Sequence, residues 1–169
     1  MIELFQKSVY VLLLSWLALF CMCTIGAPEM ETERITEVDR ELLLQLVNSV
    51  RASGCDCKSE GFFAPTSPVV WNDTLELAAK DHCDDMLKNK FFSHTGSDDS
   101  NPGVRLARRN YSWTTYGENI SHGHQTERSV VEGWIKSAGH CRNIMNPNFK
   151  EMGVAKAGDY WTQVFAAHK

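Results

Sequence analysis

The fourteen residues from Trp134 to Pro147 constrain this chain more than any other stretch. An apolar run from Val130 to Ile135 predicts a helix, Ser137-Ala138-Gly139 supplies its stop, and Asn146-Pro147 closes a second short turn that begins near His140. His140 is therefore expected at a corner between two helical pieces, with Gly139 on one side and Cys141 on the other. A histidine held that way is a candidate ligand or acid–base group, and its neighbour is a candidate for a disulfide.

The start of the chain is read separately. Lys7, the apolar run from Val9 to Phe20 and the small or neutral residues Cys23 to Ala27 match the three regions of a secretory signal peptide. We assign residues 1–26 to it, with cleavage after Gly26. The alternative is an uncleaved anchor, because the apolar run approaches the length of a membrane span. Lipid attachment at Cys21 or Cys23 is disfavoured, since Phe20 and Met22 stand where a small residue is wanted. Residues 27–36 read as a flexible linker, and residues 37–169 as one domain, long enough for a real core. The expected location is secreted or cell-envelope, extracellular or periplasmic. Removing the leader takes away one acid, Glu3, and one base, Lys7, so the net charge stays at −4. With no basic stripe, the chain is expected to have no nucleic-acid partner.

Cys55, Cys57, Cys83 and Cys141 remain after the leader, an even number in an exported chain, which predicts disulfides. A bridge from Cys55 to Cys57 would close a very short, strained ring. Cys83 and Cys141 are therefore expected each to pair with one member of Cys55-Asp56-Cys57. A zinc site on Cys55 and Cys57 is the weaker alternative.

A first helix is expected to start at Thr36, in a capping box with Asp39, and to carry Leu43, Leu46, Val47 and Val50 on one face as far as Gly54. A second is capped by Asn72 or Asp73 and carries Leu75, Ala78, Ala79, His82, Cys83 and Met86; His82 reads as a core histidine. Ser97 to Pro102 is a polar, acidic loop without the ligand pattern of a calcium site. Val104 to Arg109 suggests a helical turn with Arg105, Arg108 and Arg109 solvated. Tyr111 to Ser121 reads as strand or extended loop, and Thr126 caps the helix that carries Val130, Val131 and Trp134. Two strand-like runs, Met152 to Lys156 and Tyr160 to Phe165, form a hairpin about Ala157-Gly158-Asp159. Trp134 and Trp161 read as core anchors. The fold class expected is α+β, helices packed on a small antiparallel sheet.

Three polar groups stand at corners: His94 before Thr95-Gly96, Glu118 after Gly117, and His140. Asn89 to Thr95, Gly117-Glu118-Asn119-Ile120, Val131-Glu132-Gly133-Trp134, Ser137 to Pro147, Met152-Gly153-Val154 and Tyr160 to Gln163 occur in one order. That order resembles the CAP superfamily of cysteine-rich secretory, antigen 5 and pathogenesis-related proteins, and within it the short bacterial members. The resemblance covers about Leu43 to Ala167. It implies a three-layer α-β-α sandwich with a cleft of two histidines and two acidic residues, and members that engage sterols, lipids, glycans or proteins. Carried over, the histidines fall on His94 and His140 and one acid on Glu118. The second acid is missing, because Ser137 stands there.

Two neutral imidazoles leave open positions on a zinc ion, and Glu118 suits the role of outer-shell partner, so a weak, reversible Zn2+ site is expected. The leading expectation is a binding module for a lipid, glycan or protein, with membrane contact only through an uncleaved leader. The alternatives are a peptidase-like hydrolase using Glu118, His140 and Ser137, and a structural cell-envelope protein. His122 and His124 could extend a metal site near Glu118. Asn72, Asn110 and Asn119 fit the glycosylation pattern.

Overall fold

The structure, a computed structural model, describes residues Val38–Lys169. The leader, the linker and Thr36 lie outside them. The first helix, α1 (Arg40–Ser53), is capped by Asp39, not by Thr36: the Asp39 carboxylate reaches the Leu42 N–H at 2.9 Å and so satisfies an orphan donor of the first turn. Leu43 and Val47 are buried on its inner face, and the helix stops at Gly54, whose φ of 74° favours glycine.

A small ribbon follows, β1 (Cys55–Asp56) paired antiparallel with β2 (Phe62–Phe63) around a 3-10 turn at Lys58–Glu60. The next elements are β3 (Val70–Trp71), α2 (Asp73–Asn89), α3 (Pro102–Arg108) and β4 (Trp113–His122). α4 (Glu127–Lys136), α5 (Ala138–Met145), β5 (Glu151–Ala157) and β6 (Tyr160–His168) complete the order. Asn72 caps α2 by accepting from the Thr74 and Leu75 N–H groups, and Thr126 caps α4 in a reciprocal capping box with Ser129.

The main sheet runs β3-β5-β6-β4. Its expected antiparallel character holds for β4, β5 and β6, but β3 joins β5 in parallel, the chain having passed through α2, α3, β4, α4 and α5 between the two. Strand alternation then divides the core. Ala155, Ala157, Val164 and Ala166 face α2 and α3, together with Leu75, Ala79, Cys83 and Leu106. Met152, Val154, Trp161 and Phe165 face α1, α4 and α5, against Leu43, Val47, Val131, Trp134 and Ile144. This is the three-layer α-β-α sandwich. The α2 layer lies directly on β5 at Gly153, where a Cβ would stand 2.1 Å from the Glu76 backbone nitrogen.

Arg51, fully buried, organises the other layer without any carboxylate. Its guanidinium donates to the carbonyls of Ser67 (2.8 Å), Ile144 (2.6 Å), Asn146 (3.0 Å) and Phe149 (3.3 Å). Two of those acceptors lie at the end of α5 and just past it, where helix carbonyls lack partners of their own.

Candidate functional site

Glu118 and Asn119 are consecutive on β4, an edge strand, so their side chains leave on opposite faces of the sheet. Gly117 precedes them because Phe149 leaves no room: a Cβ there would sit 2.7 Å from the Phe149 ring. Glu118 turns toward α2 and α3. Its Oε1 accepts from His94 Nδ1 at 2.8 Å and its Oε2 from Arg105 Nη2 at 2.6 Å, with the carboxylate side chain 2% exposed. Asn119 turns toward α5, donating to Gln163 Oε1 at 2.9 Å and to the His140 carbonyl at 3.2 Å. Asn143 of α5 completes the link by donating to the Glu118 carbonyl and to Asn119 Oδ1. One dipeptide therefore ties both helical layers to the strand that lies between His94 and His140.

Arg105 is the residue that sequence reasoning misplaced. It was expected in solvent with Arg108 and Arg109, which are exposed and pair with Asp98 and Asp81. Arg105 is instead buried, and besides Glu118 it donates to the carbonyls of Ser100 (2.9 Å) and His94 (3.2 Å). Asn101 caps α3 and Gly103 packs on the Tyr116 ring, which together turn Arg105 inward.

The hydrogen bonds orient the rings. Glu118 accepts from His94 Nδ1, which turns Nε2 of a side chain that is 53% exposed away from the carboxylate. His140 is half-buried, and burial first, then the neighbouring His94, lowers its pKa, so its ring favours the neutral form that a metal or ligand needs. His82 lies fully buried behind them. Its Nε2 donates to the Ser93 carbonyl at 2.8 Å and its Nδ1 has no partner, and burial is the main cause that lowers its pKa.

The corner itself differs from expectation. The break between α4 and α5 is at Ser137, whose extended backbone (φ −100°, ψ 123°) ends one helix and starts the next. Gly139 lies inside α5, which tolerates it, and His140 stands in the first turn of that helix. Ser137 Oγ makes no hydrogen bond to His94, His140 or Glu118.

The cysteines need a larger correction. Cys57 is joined to Cys141, as the sequence allowed, but Cys83 is free and buried on the opposite side of the sheet, where its thiol donates to Thr162 Oγ1 at 3.1 Å. The helical stripe that buries Cys83 faces away from the β1–β2 ribbon, so no sulfur there can reach it. Burial pushes the Cys83 thiol up to about 12. The zinc alternative at Cys55 and Cys57 also falls, because a sulfur committed to a disulfide is not a thiolate ligand.

Other candidates separate in the same way. The His122 ring packs on Tyr160 at 4.5 Å and the His124 ring lies against Gly133, so the two histidines serve different contacts. Among the described residues, the group of three or more His, Cys, Asp and Glu side chains with ligand atoms within 4.8 Å of one another is Cys55, Cys57 and Cys141. In the acidic loop, hydrogen bonds from Ser100 and then Arg108 hold the Asp98 carboxyl well below the usual carboxylate range, so it is already committed. Asn119 is fully buried, which rules out a glycan there, whereas Asn110 is exposed. Among the described residues no helix is long and apolar enough to cross a membrane.

The model of the CAP family, the cysteine-rich secretory protein family, matches residues 44–165. The uncharacterized protein YkwD of Bacillus subtilis (strain 168) is 36% identical over 100 residues, 58% of this chain and 39% of the relative. The uncharacterized membrane protein YlbC of the same organism is 27% identical over 133 residues, 79% of this chain and 36% of the relative. This chain therefore spans less than half the length of either curated relative. Among solved structures, an extracellular protein containing a SCP domain from Bacillus anthracis str. Ames matches with a TM-score of 0.67 at 27% identity, covering 75% of this chain and 39% of that one. An outer surface protein from Borrelia burgdorferi matches with a TM-score of 0.61 at 20% identity over 80% of this chain and 99% of that one, a likeness of fold alone.

Proposed function

This chain belongs to the CAP family of cysteine-rich secretory proteins, and from that premise we propose that it is an exported binding module whose working face carries His94 and His140. The proposed occupant is a divalent metal such as Zn2+, held weakly and reversibly, beside which a lipid, glycan or protein ligand is recognised. The similarity to an extracellular protein containing a SCP domain supports export.

The observation that carries the reading is the commitment of Glu118. Both carboxylate oxygens are taken, one by Arg105 and one by His94, and the side chain is nearly inaccessible. A general base must be free to accept a proton from a reacting group, and Glu118 would have to leave a buried ion pair first. As a fixed acceptor it does something else well: it sets the His94 tautomer and ring direction, as outer-shell carboxylates do for ligating histidines. Two imidazoles fall short of the three protein ligands usual for catalytic zinc, which fits reversible occupancy rather than a permanent centre. Bound metal would supply a positive charge for an anionic or carbonyl-bearing ligand.

Zinc titration calorimetry on the protein, beside His94→Ala and His140→Ala, tests the reading. Weak binding by the unaltered protein and at least a tenfold loss in each variant is expected; identical heats from all three would refute the metal.

A further inference from the structure

Cys55 is unpaired, half-exposed and placed next to a disulfide. Its Sγ stands 3.6 Å from Cys141 Sγ, and the sulfurs of Cys55, Cys57 and Cys141 all lie within 4.8 Å of one another. The Cys55-Asp56-Cys57 segment brings this about: two cysteines one residue apart on near-extended chain project to the same side, and both reach the first turn of α5. The Cα atoms of Cys57 and Cys141 are 5.4 Å apart, an ordinary disulfide span, and β1 begins only two residues earlier.

We propose that these three cysteines form a thiol–disulfide exchange site in which Cys141 has two interchangeable partners. The Cys55 thiolate attacks Cys141 Sγ, a Cys55–Cys141 bond forms, the Cys57–Cys141 bond breaks, and Cys57 leaves as a thiolate that takes up the proton Cys55 gave away. One disulfide and one thiol stand on each side of the step, so no external oxidant or reductant is required. The two forms are not equivalent to the surroundings. With Cys57 bound, the thiol left over is half-exposed; with Cys55 bound, it is a fully buried Cys57. The step therefore presents or hides a thiol next to Cys141 while α5 stays tethered throughout. Burial, then the Asp56 carboxylate, holds the Cys55 thiol above its ordinary value, which makes the exchange slow without blocking it.

The test is a disulfide map of the full chain, quenched in acid, alkylated and cleaved before Asp56, which puts Cys55 and Cys57 on separate peptides and leaves Cys21 and Cys23 on others. Expected is a majority of Cys57–Cys141 with a measurable minority of Cys55–Cys141, and retention of one disulfide, now Cys55–Cys141, in Cys57→Ser. Cys141 linked to Cys57 alone in the unaltered protein, or Cys55 and Cys141 both left as free thiols in Cys57→Ser, would overturn the proposal.

Discussion

Replacing Arg105 by methionine removes the cation from a pair whose side chains are 5% and 2% exposed. Three things follow. Glu118 is left without its cation in a site that is 2% exposed, and breaking one partner of a buried pair costs about 3–5 kcal/mol. The carbonyls of Ser100 and His94 lose their donor, at roughly 1 kcal/mol each when no water replaces it. Methionine restores some apolar contact, which offsets part of this. The net expectation is a loss of about 4 kcal/mol, a large fraction of the 5–15 kcal/mol that holds a domain of this size. With a urea slope near 2 kcal/mol per molar, the unfolding midpoint should fall by about 2 M, read by far-ultraviolet circular dichroism. The decisive comparison is the double variant Arg105→Met with Glu118→Leu, in which no buried charge is stranded. It should be more stable than Arg105→Met alone, with a coupling between the sites of about 2 kcal/mol or more. Effects that add within about 0.5 kcal/mol would refute the claim that Glu118 is a committed partner of Arg105, and with it the argument against Glu118 as a free base.

Two further outcomes are expected. In Gly153→Ala the new methyl meets the Glu76 and Leu75 backbone at 2.1 and 2.5 Å, so α2 must lift from β5, and thermal melting should report a loss of about 3 kcal/mol; a loss under about 1 kcal/mol would mean the layers slide freely. His82 has a folded pKa below its ordinary value of about 6.5, so the unfolded chain takes up a proton that the folded one refuses: stability is full above that pH and is lost as pH falls below it. His82→Gln should flatten that acid-side slope by up to about 1.4 kcal/mol per pH unit, and denaturation curves of equal slope would exclude His82 as the cause.

What the sequence disclosed depended on whether the signal was local. The stripe of α2 and its Asn72 cap, the hairpin of β5 and β6, and the Thr126 cap of α4 are each written within a few neighbouring residues, and each appears as expected. Arg105 was not legible, because its partner is thirteen residues away on another element and an arginine on a short helix normally points to water. The parallel pairing of β3 was hidden for a related reason: a strand of two residues carries no periodicity, and its partner lies about eighty positions later. Counting cysteines foresaw a disulfide, which Cys57 and Cys141 form, but could not say which face of α2 Cys83 occupies. At the candidate site, His94, Glu118 and His140 came from motif order; the structure adds that the first two are hydrogen-bonded and that Asn119 ties the third to the same strand.

Arg51 bears on how such a fold can carry an exposed polar face without being undone by it. Gathering four carbonyls around one guanidinium gives the α5 end of the sandwich the equivalent of a structural cation that is covalently attached, so no chelator strips it and no dilution releases it. Burial lowers its proton affinity, but a guanidinium starts so far above neutrality that the charge persists. The molecule thus keeps a permanent cation, which anchors the frame near Phe149, apart from the histidine face on which exchangeable metal binding is proposed.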